Sequence, residues 1–215
     1  MVPDCRRLRL SEIDQAPESP GVYAWYTQIE ISTADIQDII SRIHQAKYIS
    51  ISNAMNEVDN LLHKYIFNHF QNVPYHVTIS GLLKATYSGE IPHKISSSVS
   101  LIERIVDHPE RFINIATMLR NMAPWFTSPL YIGMSANLRS RLMTHRKFII
   151  ELRDLRNPIS NYDNAEAGFA RQIVNRNFDP MSLFVYFSEV PVDLGDPKDV
   201  ENLLNRINHP ILGRN

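Results

Sequence analysis

The sequence LYIGMSANLRSRLMTHR, from Leu130 to Arg146, constrains the fold more than any other part of the chain. Its first residues are apolar or aromatic and predict a short β-strand. Ser135 or Asn137 can cap a following helix, because either side chain accepts hydrogen bonds from unpaired amides of a first helical turn. A strand therefore passes almost directly into a helix, and the two elements must lie close together.

The predicted helix has one apolar side, formed by Leu138, Leu142 and Ile149. Arg141 and His145 lie one turn apart on one flank of that side, and Arg139 and Arg146 lie on the other flank. An arginine suits a phosphate because its planar fork of donors matches two oxygens and keeps its charge. The spacing by itself is equally compatible with a solvated arginine beside a hydrogen-bonded core histidine.

Two further strands are predicted, at Val22–Tyr26 after the turn at Ser19–Gly21 and at Leu183–Phe187. The segment from about Ser32 to Met122 is mostly helical in pattern, with a short strand at Tyr75–Ile79. Residues 124 to 129 are bracketed by prolines and predict the end of this helical pattern. Another helix is predicted at Asn164–Asn175.

The last helix has the clearest boundaries. Asp196 is the predicted N-cap, Pro197 occupies the first helical position, and His209-Pro210 ends the helix. Its apolar side consists of Val200, Leu203, Leu204 and Ile207.

The composition is that of a soluble globular protein. Of the 215 residues 44% are apolar, and 22 Lys and Arg balance 23 Asp and Glu, so any anionic partner must be bound locally rather than by a global basic field. The single cysteine, Cys5, excludes an intramolecular disulfide framework and suits a reducing compartment. Because the sequence shows neither a signal peptide nor a membrane-spanning stretch, a cytoplasmic protein is expected.

The two separated strand motifs resemble those of the GIY-YIG nucleases, a family that includes bacterial excision-repair incision proteins and several restriction and homing endonucleases. Gly21-Val22-Tyr23 corresponds to the first signature triplet and Tyr131-Ile132-Gly133 to the second. The family's catalytic arginine lies ten residues after the second signature tyrosine, which is Arg141 here, and four residues later this chain has His145.

The resemblance extends to the last helix. The family's metal-binding glutamate lies nine residues before a proline, and Glu201 and Pro210 have that spacing. The family's asparagine three residues after the proline is Gly213 here, with Asn215 two residues further on. The chain also separates Tyr23 from Tyr131 by about a hundred residues, whereas the family usually joins the two strands in a close hairpin.

The resemblance implies an α+β fold in which helices flank a small three-stranded antiparallel sheet. Residues 1–26 and 129–215 would form this core, and residues 27–128 would be an inserted, mostly helical subdomain. The insertion, with polar side chains such as Asn53, Asn56 and Asn60, is expected either to read DNA sequence or to mediate dimerisation or partner binding.

The implied activity is metal-dependent hydrolysis of phosphodiester bonds, most plausibly in DNA, for restriction, defence or repair. Mg²⁺, with Mn²⁺ as a substitute, would be held by Glu201, and Arg141 would stabilise the charge that develops on the phosphate. Tyr23 is the first candidate for the general base, with Tyr131 and His145 as positioning or relay groups. The predicted nucleic-acid-binding residues are Asn137, Arg139, Arg146 and Lys147. A homodimer is expected because one active site cuts two strands only by pairing or by acting twice.

Two alternatives compete with this interpretation. The same fold can be a catalytically inactive module that binds nucleic acid or protein, which the missing asparagine favours. The chain can also be a purely helical partner-binding protein, in which case Tyr23 and Tyr131 would lie much further apart than neighbouring strands.

Overall fold

A computed structural model describes residues 4–71, 74–82, 84–92, 95–154, 167–190 and 196–212. The chain forms two compact units, of which the first comprises Met1–Glu30 and Ala116–Asn215 and the second Ile31–Ile115. The boundary between Ile115 and Ala116 falls inside the helix Arg111–Phe126. Gly213, which stands at the position of the family's asparagine, and Asn215, its candidate replacement, lie outside the described residues.

The first unit is built on a four-stranded antiparallel sheet. The strands are β1 (Arg6–Arg9), β2 (Gly21–Thr27), β5 (Tyr131–Ser135) and β6 (Leu183–Glu189). Their order is β1-β6-β2-β5, so the two signature strands, β2 and β5, are direct neighbours. The predicted sheet had three strands. The fourth strand is Arg6–Arg9. It lies at the edge of the sheet, where charged side chains can remain solvated, and its arginines conceal the usual apolar pattern of a strand.

Alternation along the strands gives the sheet two faces, which we name by one residue each. The Tyr23 face carries Tyr23, Trp25 and Tyr131, since Trp25 is paired with Tyr131 across the two strands. Helices α5 (Leu138–Asp154) and α6 (Gly168–Asn175) pack together, and α5 also contacts β2 and β5. The predicted apolar side of α5 is fully buried, and each large side chain buried here stabilises the fold by about 1.5–3 kcal/mol.

The Tyr26 face carries the intervening residues, among them Val22, Ala24, Tyr26, Ile132 and Tyr186. Helix α7 (Pro197–Asn208) packs against β5 and β2. As predicted, Asp196 caps it by accepting a hydrogen bond from the amide of Lys198, and Pro197 occupies its first turn. Its apolar side is largely exposed: Leu203 retains 65% of its accessible surface and Ile207 72%.

The second unit consists of helices and one hairpin. Its helices are α1 (Thr33–Ile49), α2 (Ile51–Tyr65), α3 (Val99–Asp107) and the start of α4 (Arg111–Phe126). Ser32 and Ser50 cap α1 and α2, and apolar side chains such as Ile39 and Val58 form a buried core. The hairpin pairs β3 (Tyr75–Gly81) with β4 (Lys84–Ile91). The predicted strand at Tyr75 is thus present, but its partner β4 was missed; from Ala85 to Ile91 its side chains are exposed.

The α+β class is confirmed, and a purely helical protein is excluded by the two antiparallel sheets. Helix α4 also runs through Pro124 to Phe126, beyond the predicted break. Within the described ranges, none of the helices combines the length and the apolar character that a membrane-spanning segment requires.

Candidate active site

Tyr23, Arg141 and His145 meet in one hydrogen-bonded cluster on the Tyr23 face. The hydroxyl of Tyr23 lies 2.9 Å from Nε2 of His145, across 122 positions of sequence. Nε of Arg141 donates to the same hydroxyl over a long 3.4 Å. Tyr131 completes the cluster, since its ring centroid lies 6.2 Å from that of Tyr23 and 5.9 Å from that of His145. Four of the five predicted catalytic side chains are therefore in mutual contact.

The glycine of the second signature triplet has a steric role in this cluster. Gly133 is paired with Tyr23 across the two strands, and the Tyr23 ring lies over it. A Cβ at Gly133 would lie 2.6 Å from the Tyr23 hydroxyl oxygen and 2.8 Å from Cε1 of Tyr131, far inside contact distance. At Gly21 on β2, a Cβ would lie 2.4 Å from the carbonyl oxygen of Ser188 and 2.7 Å from Cδ1 of Leu138. Both glycines leave room for a side chain of the site or its helix.

Phe169 of α6 is a positioning residue that the sequence analysis did not identify. Its ring stands edge-on to His145, at 5.0 Å between centroids and 85° between planes. The same ring lies 5.1 Å from Tyr131 and 5.6 Å from Trp25. The spacing of Phe169 and Ile173 on α6 indicates a core side, but no sequence signal shows that this core holds the imidazole in place.

Burial controls the protonation of the cluster. His145 is 1% exposed, and burial, together with the neighbouring charge of Arg141, lowers its pKa to about 3, so the ring is neutral at pH 7. Burial also raises the pKa of Tyr23 above its ordinary value, Tyr131 adds to that rise, and the hydrogen bond from Arg141 offsets only part of it. Arg141 is half-buried; burial lowers its pKa, but the contact with Tyr23 outweighs this and the net pKa is raised.

The neutral imidazole has a preferred tautomer. Nδ1 of His145 is buried without a hydrogen-bond partner among the described residues. A proton on Nδ1 would be a buried unpaired N–H, which costs about 1–3 kcal/mol, whereas an unpaired ring acceptor is tolerated more often. The proton therefore belongs on Nε2, where it is donated to the Tyr23 oxygen. That oxygen then accepts from both His145 and Arg141, and its own proton is directed away from them.

The start of α5 is closed to ligands by the protein itself. The amides of Leu138 and Arg139 donate to the carbonyls of Ser19 and Pro17, each at 3.0 Å. The amide of Ser140 donates to Oδ1 of Asn137 at 2.9 Å, which confirms Asn137 as a helix cap. The first amides of the helix are thus occupied, and Arg141 is the group at this end of the cluster that can bind a phosphate.

The other predicted nucleic-acid-binding residues of α5 have intramolecular partners. Arg139 donates to the Ala16 carbonyl and pairs with Glu18, and Arg146 pairs with Asp14 at 2.8 Å. Lys147 lies 3.9 Å from Glu151. The pairs of Arg139 and Arg146 fasten α5 to the N-terminal segment, whereas the pair of Lys147 lies within α5. Each of these partly exposed pairs stabilises the fold by no more than about 1 kcal/mol. Arg139, Arg146 and Lys147 line a cavity of about 620 Å³, and pairs this weak can exchange for phosphates.

Glu201, the fifth predicted catalytic residue, lies on α7. Its Oε1 accepts a hydrogen bond from Nδ2 of Asn205 one turn later, at 3.3 Å. In the part of the chain that the structure describes, this bond stays within α7, so Glu201 is not hydrogen-bonded to Tyr23, Arg141 or His145. Its helix contacts both strands that carry the signature tyrosines, but it packs on the Tyr26 face, opposite the side chain of Tyr23, so the structure does not bring Glu201 into the cluster.

The donor set places limits on a metal ion. Among the described residues, no three His, Cys, Asp or Glu side chains group together as ligands. Glu201 is half-buried and its carboxylate is oriented by Asn205. One oriented carboxylate fits Mg²⁺, which keeps several of its waters and usually takes one or two protein carboxylates. It does not fit an ion that needs a complete protein cage, such as structural zinc.

Comparisons with known proteins found no match for this chain among family models, curated proteins or solved structures.

Proposed function

We propose that this protein is a metal-dependent endonuclease that hydrolyses phosphodiester bonds in DNA. The observation that supports the proposal best is the contact of Tyr23, Arg141 and His145, which brings together residues from distant parts of the sequence around one hydroxyl. A guanidinium, a phenol and an imidazole in contact are suited to binding a phosphate and moving a proton. The GIY-YIG resemblance, stated from the sequence, assigns the same residues to that chemistry.

Arg141 is the anion-binding group in this mechanism. Its Nε donates to the Tyr23 hydroxyl and its guanidinium also contacts Tyr131, but the fork carries five donors, so donors remain for phosphate oxygens. The guanidinium keeps its charge at every pH at which the protein is folded. It would stabilise the transition state by facing the charge that develops on the phosphate oxygens as water attacks.

Tyr23 and His145 are the groups that would take part in proton transfer from the attacking water. His145 donates to the Tyr23 oxygen, and a Tyr23 phenolate would keep this bond and the one from Arg141. The two donors therefore favour ionisation, but burial outweighs them, and the pKa of Tyr23 remains above its ordinary value. Tyr23 can act as a general base only when a further positive charge approaches its oxygen.

Glu201 would hold the metal ion, and a bound Mg²⁺ would supply Lewis acidity and positive charge to the substrate phosphate. Because α7 packs on the Tyr26 face and Arg141 lies on the Tyr23 face, one phosphate could contact both groups only at the β5 edge of the sheet. The fold keeps Glu201 on a helix that packs on β2 and β5, while Asn205 fixes the direction of its carboxylate.

A second candidate function is a catalytically inactive module that binds nucleic acid or protein. The pKa shifts favour it, because both proton-transfer groups are moved away from neutrality: His145 downward and Tyr23 upward. In that case the cluster is a rigid polar core and Arg141 is a binding residue alone.

Plasmid cleavage separates the two candidates. Purified protein is incubated with supercoiled DNA in Mg²⁺, in Mn²⁺, and in either ion with excess chelator. The endonuclease proposal predicts nicked or linear product that requires the ion and is lost in Glu201→Ala. A folded wild-type protein that binds DNA but leaves it uncut under every condition would establish the inactive module instead.

A further inference from the structure

The Tyr26 face of the sheet contains a cavity that the nuclease mechanism does not use. Its volume of about 430 Å³ is in the range of sites for small organic groups. Its walls are aromatic and are formed by Tyr26, Trp125 and Tyr186. Val22, Ala24 and Ile132 also line it, and α7 contributes Leu204 and Asn208. Tyr23 and Phe187 are also among its lining residues, although their side chains point to the other face of the sheet, because strand side chains alternate.

The aromatic walls present ring surfaces to a ligand. The Trp125 and Tyr186 centroids lie 6.1 Å apart at 45°, and Tyr26 and Tyr186 meet edge-on at 5.7 Å. Trp125 retains 74% of its accessible surface although it touches this cluster. A large indole left exposed at a cavity rim is the kind of group on which a planar ring stacks.

Two arginines stand beside the rings. Arg7 and Arg9 are paired with Tyr186 and Phe184 across β1 and β6, so they point to the Tyr26 face. Cζ of Arg7 lies 4.1 Å from the centroid of Phe184, whose ring stacks on Tyr26 at 5.6 Å. Neither arginine is in a salt bridge within the described ranges, unlike Arg6, which pairs with Glu189. Free cations next to stacking surfaces complement phosphates joined to planar bases.

Hydrogen-bonding groups also line the cavity. Oγ of Ser188 is buried in its wall and has no partner among the described residues. The Asn208 amide lines the same space and donates one bond to the Leu204 carbonyl. A hydroxyl and an amide are suited to the donor and acceptor edge of a nucleobase, and an aliphatic ligand would leave both unused.

We propose that the Tyr26 face binds an unpaired nucleotide of a single-stranded nucleic acid. The base stacks on Trp125 and Tyr186, its edge reaches Ser188, and the phosphates contact Arg7 and Arg9. The idea rests on the proposed nuclease function for its biological meaning, because a strand held here would lie against α7, the helix that carries Glu201. Its physical basis is the cavity together with the two arginines of β1 that point to the same face.

Intrinsic fluorescence provides a direct readout, because the chain has two tryptophans and Trp25 is fully buried. Titration with dT12 or rU12 in excess chelator should quench emission from Trp125. Fluorescence anisotropy of the labelled oligonucleotides should show that Trp125→Ala weakens binding by about 5- to 150-fold, the effect of one lost base stack. Phe126→Ala removes an equally exposed neighbouring ring outside the cavity and should bind like wild type.

Two further measurements make the outcome independent of one variant. Arg7→Ala should reduce the slope of log affinity against log salt by about 0.7, the value for one phosphate contact to a single strand, and Arg104→Ala on α3 should leave it unchanged. Cys5 is the single cysteine and lines the cavity, so dT12 should slow its alkylation. Comparing dT12 with rU12 identifies which sugar the site accepts.

The proposal is overturned if Trp125→Ala binds as wild type does, or if neither oligonucleotide quenches Trp125 nor protects Cys5. Failure of the nuclease proposal is a separate result. If the protein binds oligonucleotide through Trp125 but never cuts DNA, the binding site is supported and the nuclease proposal is wrong. If it cuts DNA but does not bind oligonucleotide through Trp125, the nuclease proposal is supported and the binding site is wrong.

Discussion

The two faces of the four-stranded sheet use the same strands for opposite purposes. On the Tyr23 face, helix α5 and the Phe169 ring cover the polar groups, and His145 is 1% exposed. On the Tyr26 face, Trp125 is 74% exposed and the arginines are solvated. Consecutive residues such as Tyr23 and Ala24 therefore face very different dielectric surroundings. Burial of the first face shifts pKa values, and exposure of the second leaves ring surfaces free to bind.

The largest expected effect is on the Tyr23 face. Arg141→Ala should reduce turnover of DNA by about 10²- to 10³-fold, the usual loss for one transition-state donor. Arg153→Ala on the same helix, which removes an exposed pair with Asp179, is the matched control and should retain wild-type turnover. Equal turnover of the Arg141 variant and the control would remove Arg141 from the mechanism.

Gly133→Ala tests whether the crowding of this face positions the tyrosines. The added methyl group would collide with Tyr23 and Tyr131, so we expect stability to fall by about 1–3 kcal/mol in urea unfolding and cleavage to fall with it. Gly168→Ala has open space at its Cβ and should be neutral or slightly stabilising. A Gly133 variant as stable and active as wild type would show that the Tyr23 ring does not lie over β5.

The buried imidazole predicts a pH dependence of stability. The pKa of His145 is depressed from an ordinary value near 6.5 to about 3, so the unfolded chain binds the proton first as the pH falls. The contribution of the neutral His145 to the free energy of unfolding is complete above pH 6.5. As the pH falls below 6.5, this contribution decreases by about 1.4 kcal/mol per pH unit until the folded pKa is reached. Between about pH 6 and 4, His145→Phe should show a slope smaller by that amount, as measured by urea midpoints. Identical slopes would mean that the ring is solvated.

The smallest effect is expected at the rim of α5. Arg146→Ala removes the pair with Asp14, and we expect a change of less than about 1 kcal/mol in the free energy of unfolding. A loss of 2 kcal/mol or more would show that the rim of the Tyr23 face is as tightly coupled as its centre. If Arg146 exchanges Asp14 for a DNA phosphate, the salt dependence of duplex binding should also decrease by about 0.9 in slope.

Much of the fold was accessible from local patterns. The three apolar strands, the cap at Asp196, and the buried side of α5 were each predicted, because they depend on neighbouring residues and on periodicity. Arg6–Arg9 was missed because three of its four residues are arginines. Lys84–Ile91 was missed although Ala85, Tyr87 and Ile91 alternate with polar residues. The end of α4 was also misjudged, since Pro124 predicts a break where the helix continues, and Trp125 was therefore not placed on any surface.

The sequence by itself determined which chemical groups were available: Tyr23, Tyr131, Arg141 and His145, with glycines at 21 and 133 beside them. Helical spacing also placed Arg141 and His145 on one flank. Tertiary structure decided the protonation states of these groups, because burial made the imidazole neutral and raised the pKa of the phenol. It also decided which arginines are free, since Arg139 and Arg146 are paired by residues of the N-terminal segment. Protonation and pairing depend on solvent exclusion and on contacts between distant segments, and neither is a property of local sequence.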